Sequence, residues 1–298
     1  MCGIAGLHLK NPALYPELGH LLTPIVEALT SRGPDSAGVA LYDDSAPTGQ
    51  LRFSLRADSP SYDWSAFAAA VAGHTGSVTT AVANFNVGLV SSAASETAMI
   101  DAIDAVDPSI VVVGVGESMT IFKDVGFPKD ICDRYGIPRA GGYQAVGHTR
   151  MATESAVTME HSHPFNPVPD LTLVHNGSFS NHATIRRALM DSGIKFDTDN
   201  DTEVGARYIG QRLGKGDDLA EAMRRVVKDF DGFFTLLVAT KTEFAVVRDS
   251  FACKPLVVAE TDDYVAVASE YQALADLPGI NAARVFEPMP EDVHSWTR

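Results

Sequence analysis

Between residues 144 and 270 the chain switches repeatedly between short β-rich runs and turn-forming residues: "QAVGHTR", "LTLVHNG", "FFTLLVAT", "EFAVVRDS", "KPLVVAE" and "YVAVASE". Several follow one another across links of only a few residues. A parallel crossover needs about a dozen residues or more, so links this short restrict the runs to antiparallel hairpins. Two helical patterns lie among them. In "NDTEVGARYIGQRL" Thr202 and its polar neighbours supply caps, and in "DDLAEAMRRVVKDF" Leu219, Ala222, Met223, Val226, Val227 and Phe230 share one face. Antiparallel sheets with helices packed outside them imply an α+β layered architecture.

The N-terminal segment fits the same plan. "CGIAGLHL" reads as a strand. After Pro16, Leu18, Leu21, Leu22, Ile25, Val26 and Leu29 recur at the offsets of one helix face, with Pro24 placed to kink it. "SRGPDSAG" ends that helix and "GVALYD" is a second strand. Residues 46–142 differ: "FAAAVAGHTGSVTTAVANFN" and "SSAASETAMIDAIDAVD" are rich in Ala, Ser and Thr, and "SIVVVGVGESMTIFKD" reads as strand, turn, strand. No internal repeat is present. This stretch is expected to be an insertion packed on a core made of residues 1–45 and 143–298, the whole forming one domain.

Composition excludes several classes of function. A chain of 298 residues, 45% hydrophobic and 20% charged, has ample material for a buried core. A net charge of −15 argues against nucleic acid or an anionic membrane surface as partner. No run approaches the ~18 apolar residues of a membrane span. "MCGIAGLHLKNP" has no basic n-region, so a cytoplasmic protein without a targeting segment is expected. The cysteines, at 2, 132 and 253, have neither metal spacing nor the even count of a disulfide framework.

Chemically useful groups cluster at strand ends. They are Cys2 in "MCGIAG", Arg32 and Asp35 in "RGPDS", Arg150 and Thr153 in "GHTRMAT", Asn176 and Gly177 in "HNGSFSN", and the acids of "DNDTE". Each has a plainer reading. Cys2 is a compact apolar residue opening a buried strand, Asn-Gly is a common hairpin turn, "NDTE" is a helix cap, and an Arg after a strand makes a surface ion pair of little energetic worth. His161 and His163 in "HSHPF" lack carboxylate or thiolate company, so no metal is expected. "GVGES" lacks the third glycine and following helix of a dinucleotide turn.

Together, "CGIAG", "RGPDSAG", "GHTRMAT", "HPF", "HNGSFSN", "NDTE", "RDSFACKPL" and "ASEYQAL" resemble, in order and approximate spacing, the class II glutamine amidotransferases. The resemblance covers both ends of the chain. It implies an N-terminal-nucleophile (Ntn) hydrolase, a four-layer αββα sandwich with an inserted segment. Met1 would be removed to leave Cys2 as nucleophile, its own α-amine serving as base; an α-amine has a reference pKa of about 7.7–8.0. The Asn176 side chain and the Gly177 N–H would form the oxyanion hole. Arg150 and Thr153 would hold the glutamine α-carboxylate and Asp201 its α-ammonium, while Arg32 would brace the nucleophile's backbone at the substrate-binding end. Gly3 and Gly6 are expected to let backbone approach the substrate.

Two features depart from the common pattern. Met151 stands where many relatives carry an aromatic, and the connection from "SRGPDSAG" to "GHTRMAT" is long. Within it, "SMTIFKDVG" loosely resembles a segment of glutamate synthases. The resemblance therefore implies a glutaminase that supplies ammonia to a partner synthase subunit of the glutamate synthase or N-methylglutamate synthase kind. No cofactor is expected in this chain, any flavin or iron–sulfur group belonging to the partner. An Ntn-type amidase acting on a different amide, or a catalytically silent regulatory subunit, are the alternatives.

Overall fold

The structure, a computed structural model, describes residues 2–77, 79–152 and 157–298. In chain order the main elements are β1 (Gly3–Leu9), α1 (Leu18–Ala28), β2 (Ser36–Tyr42), β3 (Leu51–Arg56), α2 (Trp64–Thr75), β4 (Thr79–Asn84), β5 (Val87–Ser92), α3 (Glu96–Val106), β6 (Val111–Gly116), β7 (Met119–Val125) and α4 (Pro128–Arg134). There follow β8 (Gln144–Arg150), β9 (Thr172–Phe179), α5 (His182–Asp191), α6 (Asp201–Gly214), α7 (Leu219–Asp229), β10 (Gly232–Ala239), β11 (Glu243–Arg248), β12 (Val257–Glu260), β13 (Tyr264–Ala268), β14 (Arg284–Phe286) and β15 (His294–Thr297).

Two sheets form the body. One has the order β14-β12-β13-β1-β8-β2-β7 and the other β15-β11-β10-β9, with antiparallel pairing as the short links require. Strand alternation decides what faces what. On β1, Ala5, Leu7 and Leu9 turn outward to Leu18, Leu22, Ile25 and Val26 of α1. Ile4 turns inward, with Val146 and Val267, to meet Leu237, Phe244 and Val246 of the second sheet. The far side of that sheet buries Leu236 and Val238 against Val204, Ile209, Met223 and Val226 of α6 and α7. Each such side chain contributes about 1.5–3 kcal/mol by leaving water. The result is the αββα sandwich. Pro24 lies inside α1, which runs on to Ala28.

Gly3 and Gly6 serve this packing and not the substrate. A Cβ on Gly6 would fall 2.6 Å from Leu237 Cδ2 and 2.7 Å from Phe244 Cζ, between the sheets. One on Gly3 would fall 2.6 Å from Thr149 Oγ1 and 2.8 Å from Leu29 Cβ.

The inserted segment is narrower than residues 46–142. Its own sheet, β4-β5-β3-β6, carries α2 and α3 over a separate core of Phe53, Leu55, Trp64, Phe67, Val71, Val90, Met99 and Ile103. Beyond β6 the chain rejoins the body: β7 pairs with β2, and Ile131 and Cys132 of α4 pack into the α1 layer. "GVGES" is the turn between β6 and β7, held by Asp170, whose carboxylate accepts the Glu117 and Ser118 N–H groups at 2.9 and 2.8 Å. No described helix is long and apolar enough to cross a membrane.

Candidate active site

The first residue before β1 stands at one end of the inter-sheet space, where β8 and β9 also end. Cys2 is half-buried. Its Sγ accepts the Met151 N–H at 3.4 Å and lies 3.7 Å from the Met151 carbonyl, so the residue after Arg150 holds the thiol with backbone. Two donors converge on the Cys2 carbonyl: Arg32 Nε at 3.0 Å and Asn176 Nδ2 at 3.0 Å. Arg32 is nearly buried and also pairs with Glu270 at 2.7 Å. It grips the nucleophile's backbone and does not line the cavity.

That cavity, about 290 Å³, is lined by Cys2, Arg150, Met151 and Gly177, by His163, His175 and His182, and by Ser178 and residues 199–202. Its size suits a free amino acid, at the lower end of ordinary ligand pockets of ~300–1,000 Å³. Arg150 comes from the end of β8, on the same face as His148. Burial lowers its pKa while the neighbouring Cys2 and Asp35 act to raise it; a guanidinium stays charged throughout.

Asp35 supports that strand end. It accepts the Ala152 N–H at 2.8 Å, and its own N–H donates to the Arg150 carbonyl at 3.1 Å. The Gly33 turn rests directly on β8, because a Cβ there would come 2.4 Å from the Thr149 carbonyl carbon. "RGPDS" is therefore a brace under the Arg150 backbone.

Asp201, also on the cavity lining, opens α6, whose N-cap is Asn200. Its carboxylate accepts the Phe179 N–H at 2.8 Å and lies 3.9 Å from His175 Nδ1. The cavity thus carries a fixed cation and a fixed anion. The other acids of "DNDTE" differ in use: Asp199 meets His161 Nε2 at 2.7 Å, while Glu203 accepts the Asp197 and Thr198 N–H groups at 2.9 and 2.8 Å and so shapes the loop entering α6.

Gly177 lines the cavity at φ +137°, and a Cβ there would lie 1.7 Å from the Phe233 carbonyl oxygen. No other residue fits without moving β10. Asn176 faces the sheet interior, its Nδ2 on Cys2 O and, at 3.2 Å, on Ser269 Oγ. Ser269 Oγ also accepts the Ile4 N–H at 2.9 Å, tying the start of β1 to the end of β13.

Sequence reasoning passed over the histidines. His148 and His175 sit on alternating strand positions that read as core, and His163, although it opens the "HPF" motif, has no role assigned by the sequence beyond a discounted metal ligand. All three are buried, and burial pushes His148 down to about 3 and lowers His163 and His175, leaving neutral rings. No group of His, Cys, Asp and Glu among the described residues is arranged to hold a metal. Thr153 and Met1 lie outside the described residues.

Comparison with known proteins identifies what the chain is similar to. Residues 148–276 match a glutamine amidotransferase domain family. The chain is 46% identical over 297 residues to the glutamine amidotransferase-like protein GlxB of Rhizobium meliloti, covering 99% of this chain and 98% of that one. A relative from Methanothermobacter thermautotrophicus is 35% identical, with 97% of each chain covered. Among solved structures, the glutamine phosphoribosylpyrophosphate amidotransferase of B. subtilis shares the fold with a TM-score of 0.62 at 20% identity. The match covers 99% of this chain and 49% of that one.

Proposed function

Since this chain belongs to the class II glutamine amidotransferases, we propose that it releases ammonia from glutamine through a γ-glutamyl thioester on Cys2. The observation that carries the reading is the Cys2 thiol on a cavity of about 290 Å³ whose lining also includes Arg150 and Asp201. Those two charges match the α-carboxylate and α-ammonium of a free amino acid. The planar guanidinium suits the carboxylate through paired hydrogen bonds. By the family resemblance Thr153, which lies outside the described residues, would add a hydroxyl contact to the carboxylate.

Once Met1 is removed, the unprotonated α-amine of Cys2 takes the thiol proton, directly or through one water. The thiolate attacks the side-chain amide carbon, and the carbonyl π electrons move to oxygen. The Gly177 N–H and one Asn176 amide hydrogen, exchanged from Cys2 O or Ser269 Oγ, stabilise that oxyanion; a donor of this kind is worth about 2.7–4 kcal/mol. The protonated α-amine returns its proton to the leaving nitrogen, ammonia departs, and water cleaves the thioester to glutamate. Arg32 holds the Cys2 carbonyl throughout. No step calls for a cofactor in this chain.

The ammonia passes to a partner synthase subunit, of glutamate synthase or N-methylglutamate synthase type, that carries the acceptor site. The likeness of "SMTIFKDVG", most of it on β7, to glutamate synthases supports that choice. Ammonia release from glutamine, set against release from N-acyl amides, tests the substrate. Glutamine turnover with no hydrolysis of the acyl amides is the expected result; the reverse would transfer the site to another amide. Copurification of synthase activity with this chain tests the partner, and full synthase activity from this chain alone would remove it.

A further inference from the structure

His148 takes no part in the chemistry above, yet it is 1% exposed at the point where the two sheets meet beside Cys2. It extends from β8 of one sheet and its partners lie on β9 of the other. His148 Nε2 is 3.2 Å from the His175 carbonyl oxygen and 3.1 Å from the side-chain oxygen of Asn176. A backbone carbonyl only accepts, whichever way the neighbouring amide is turned. Nε2 therefore carries the ring proton, and Nδ1, which has no hydrogen-bond partner, is the bare nitrogen. The neutral ring agrees with the depressed pKa of this site.

The tautomer has a consequence for Asn176. An Nε2–H facing the carboxamide requires Oδ1 on that side, and so turns Nδ2 toward Cys2 O and Ser269 Oγ. With the amide reversed, two N–H groups would oppose each other, and an oxygen would face the Cys2 carbonyl in a buried space where neither clash is screened. The ring is itself fixed from behind: His163 packs against it with centroids 4.1 Å apart, and the adjoining Ser162 carbonyl accepts from buried Lys123 Nζ at 2.9 Å.

We infer that His148 is a positioning residue, whose Nε2–H sets the Asn176 carboxamide so that its amide group points at Cys2. The inference rests on the reading of Cys2 as nucleophile only for its effect on rate; the tautomer and the amide orientation stand apart from it.

Nitrogen-15 NMR of the whole protein labelled at histidine reads the tautomer directly. A neutral Nε2–H ring for His148, unchanged between pH 5.5 and 8, is expected. An Nδ1–H ring overturns the inference. Replacement separates position from packing, because a glutamine amide reaches the Nε2 position and an asparagine amide only the Nδ1 position. H148N is expected to lower kcat for ammonia release by about a hundredfold, the effect of misplacing a reacting group by about 1 Å. KM for glutamine should change little, and H148Q should recover most of the rate. H148N as fast as H148Q, in folded proteins, overturns the inference. If Cys2→Ala still released ammonia, the reading of the nucleophile would fall, and the NMR result would decide the role of His148 alone.

Discussion

The sandwich and the unit inserted between β3 and β6 are built on opposite terms. The inserted unit buries a conventional apolar cluster around Trp64, Phe67 and Met99 under its own sheet. The sandwich, at the end where β1, β8 and β9 converge, buries Arg32, His148, Arg150, His163, His175, Asn176 and Asp249. Buried polar groups cost free energy unless their hydrogen bonds are met; here the rings of His148, His163 and His175 each keep a nitrogen without a partner, as the Trp64 indole and Arg56 Nε do in the inserted unit. The difference separates a region selected to pack from one arranged to act. The two are joined where β6 of the inserted sheet leads into β7, which pairs with β2 of the sandwich, and through Arg52, which donates to Thr120 Oγ1 at 2.9 Å and pairs with Asp43 at 3.1 Å.

Stability and activity should therefore be separable. Trp64 fills the inserted core, and Gly88 is the residue that lets it lie against β5, since a Cβ there would sit 2.2 Å from the indole. Trp64→Ala is expected to cost about 3–5 kcal/mol in the inserted unit, read by hydrogen exchange over residues 51–116. Ammonia release per folded molecule should stay within about threefold, by the near-independence of distant sites. Collapse of activity in a folded variant would break the comparison. Gly177→Ala is the converse case: the new Cβ must displace the Phe233 carbonyl. The expected loss of ammonia release is about a hundredfold or more, the scale of a lost oxyanion donor, with inserted-unit exchange unchanged.

Acid should distinguish the regions too. His148, His163 and His175 have pKa values lowered by burial, His148 to about 3. The unfolded chain binds their protons near pH 6.5 and the folded chain does not. Their stabilisation is therefore complete above the unfolded value and is lost as pH falls below it toward the folded values. For His148 alone the loss by pH 5 is about 2 kcal/mol. Urea melts at pH 8 and pH 5 should show it, with exchange loosening first around β8 and β9. Stability that stays flat or rises from pH 7 to 5 would contradict the assignment.

Smaller effects sharpen the site itself. Asp201→Asn keeps an acceptor for the Phe179 N–H and removes the charge. KM for glutamine should rise about tenfold, roughly 1.4 kcal/mol, with kcat less affected; an unchanged KM would remove Asp201 from the ammonium site. Smallest is Ala252→Gly. Ala252, in the loop after β11, has φ +49°, and glycine should gain up to about 1 kcal/mol there, read as a higher Tm.

Much of this was legible in the sequence because it is local. Short links dictated antiparallel pairing, and α6 and α7 declared themselves by caps and apolar stripes. Cys2 and Arg150 stand in motifs at strand ends, Asn176 and Gly177 lie within β9, which the reading of "HNG" as a turn did not foresee, and Asp201 opens α6; the structure brings them to one end of the sandwich. What escaped was non-local. Nothing in "SMTIFKDVG" shows that β7 pairs with β2 across the inserted unit. The helix α5 was missed because only Leu189 of it is buried, so it carries little apolar pattern. β14 and β15 are short edge strands, fixed by Val258 and Phe244 of the neighbouring strands. His148 was hidden because a histidine at an inward strand position looks like core until the opposite sheet supplies Asn176.

The central claim is that the sulfur of residue 2 reacts as part of an N-terminal residue whose amine serves as its base. Intact mass of the active protein, measured beside its ammonia release, tests this most directly. The account predicts a chain lighter by one methionine, and a Cys2→Ala variant that binds glutamine but releases no ammonia. A protein that keeps Met1 and turns over glutamine at full rate would contradict it.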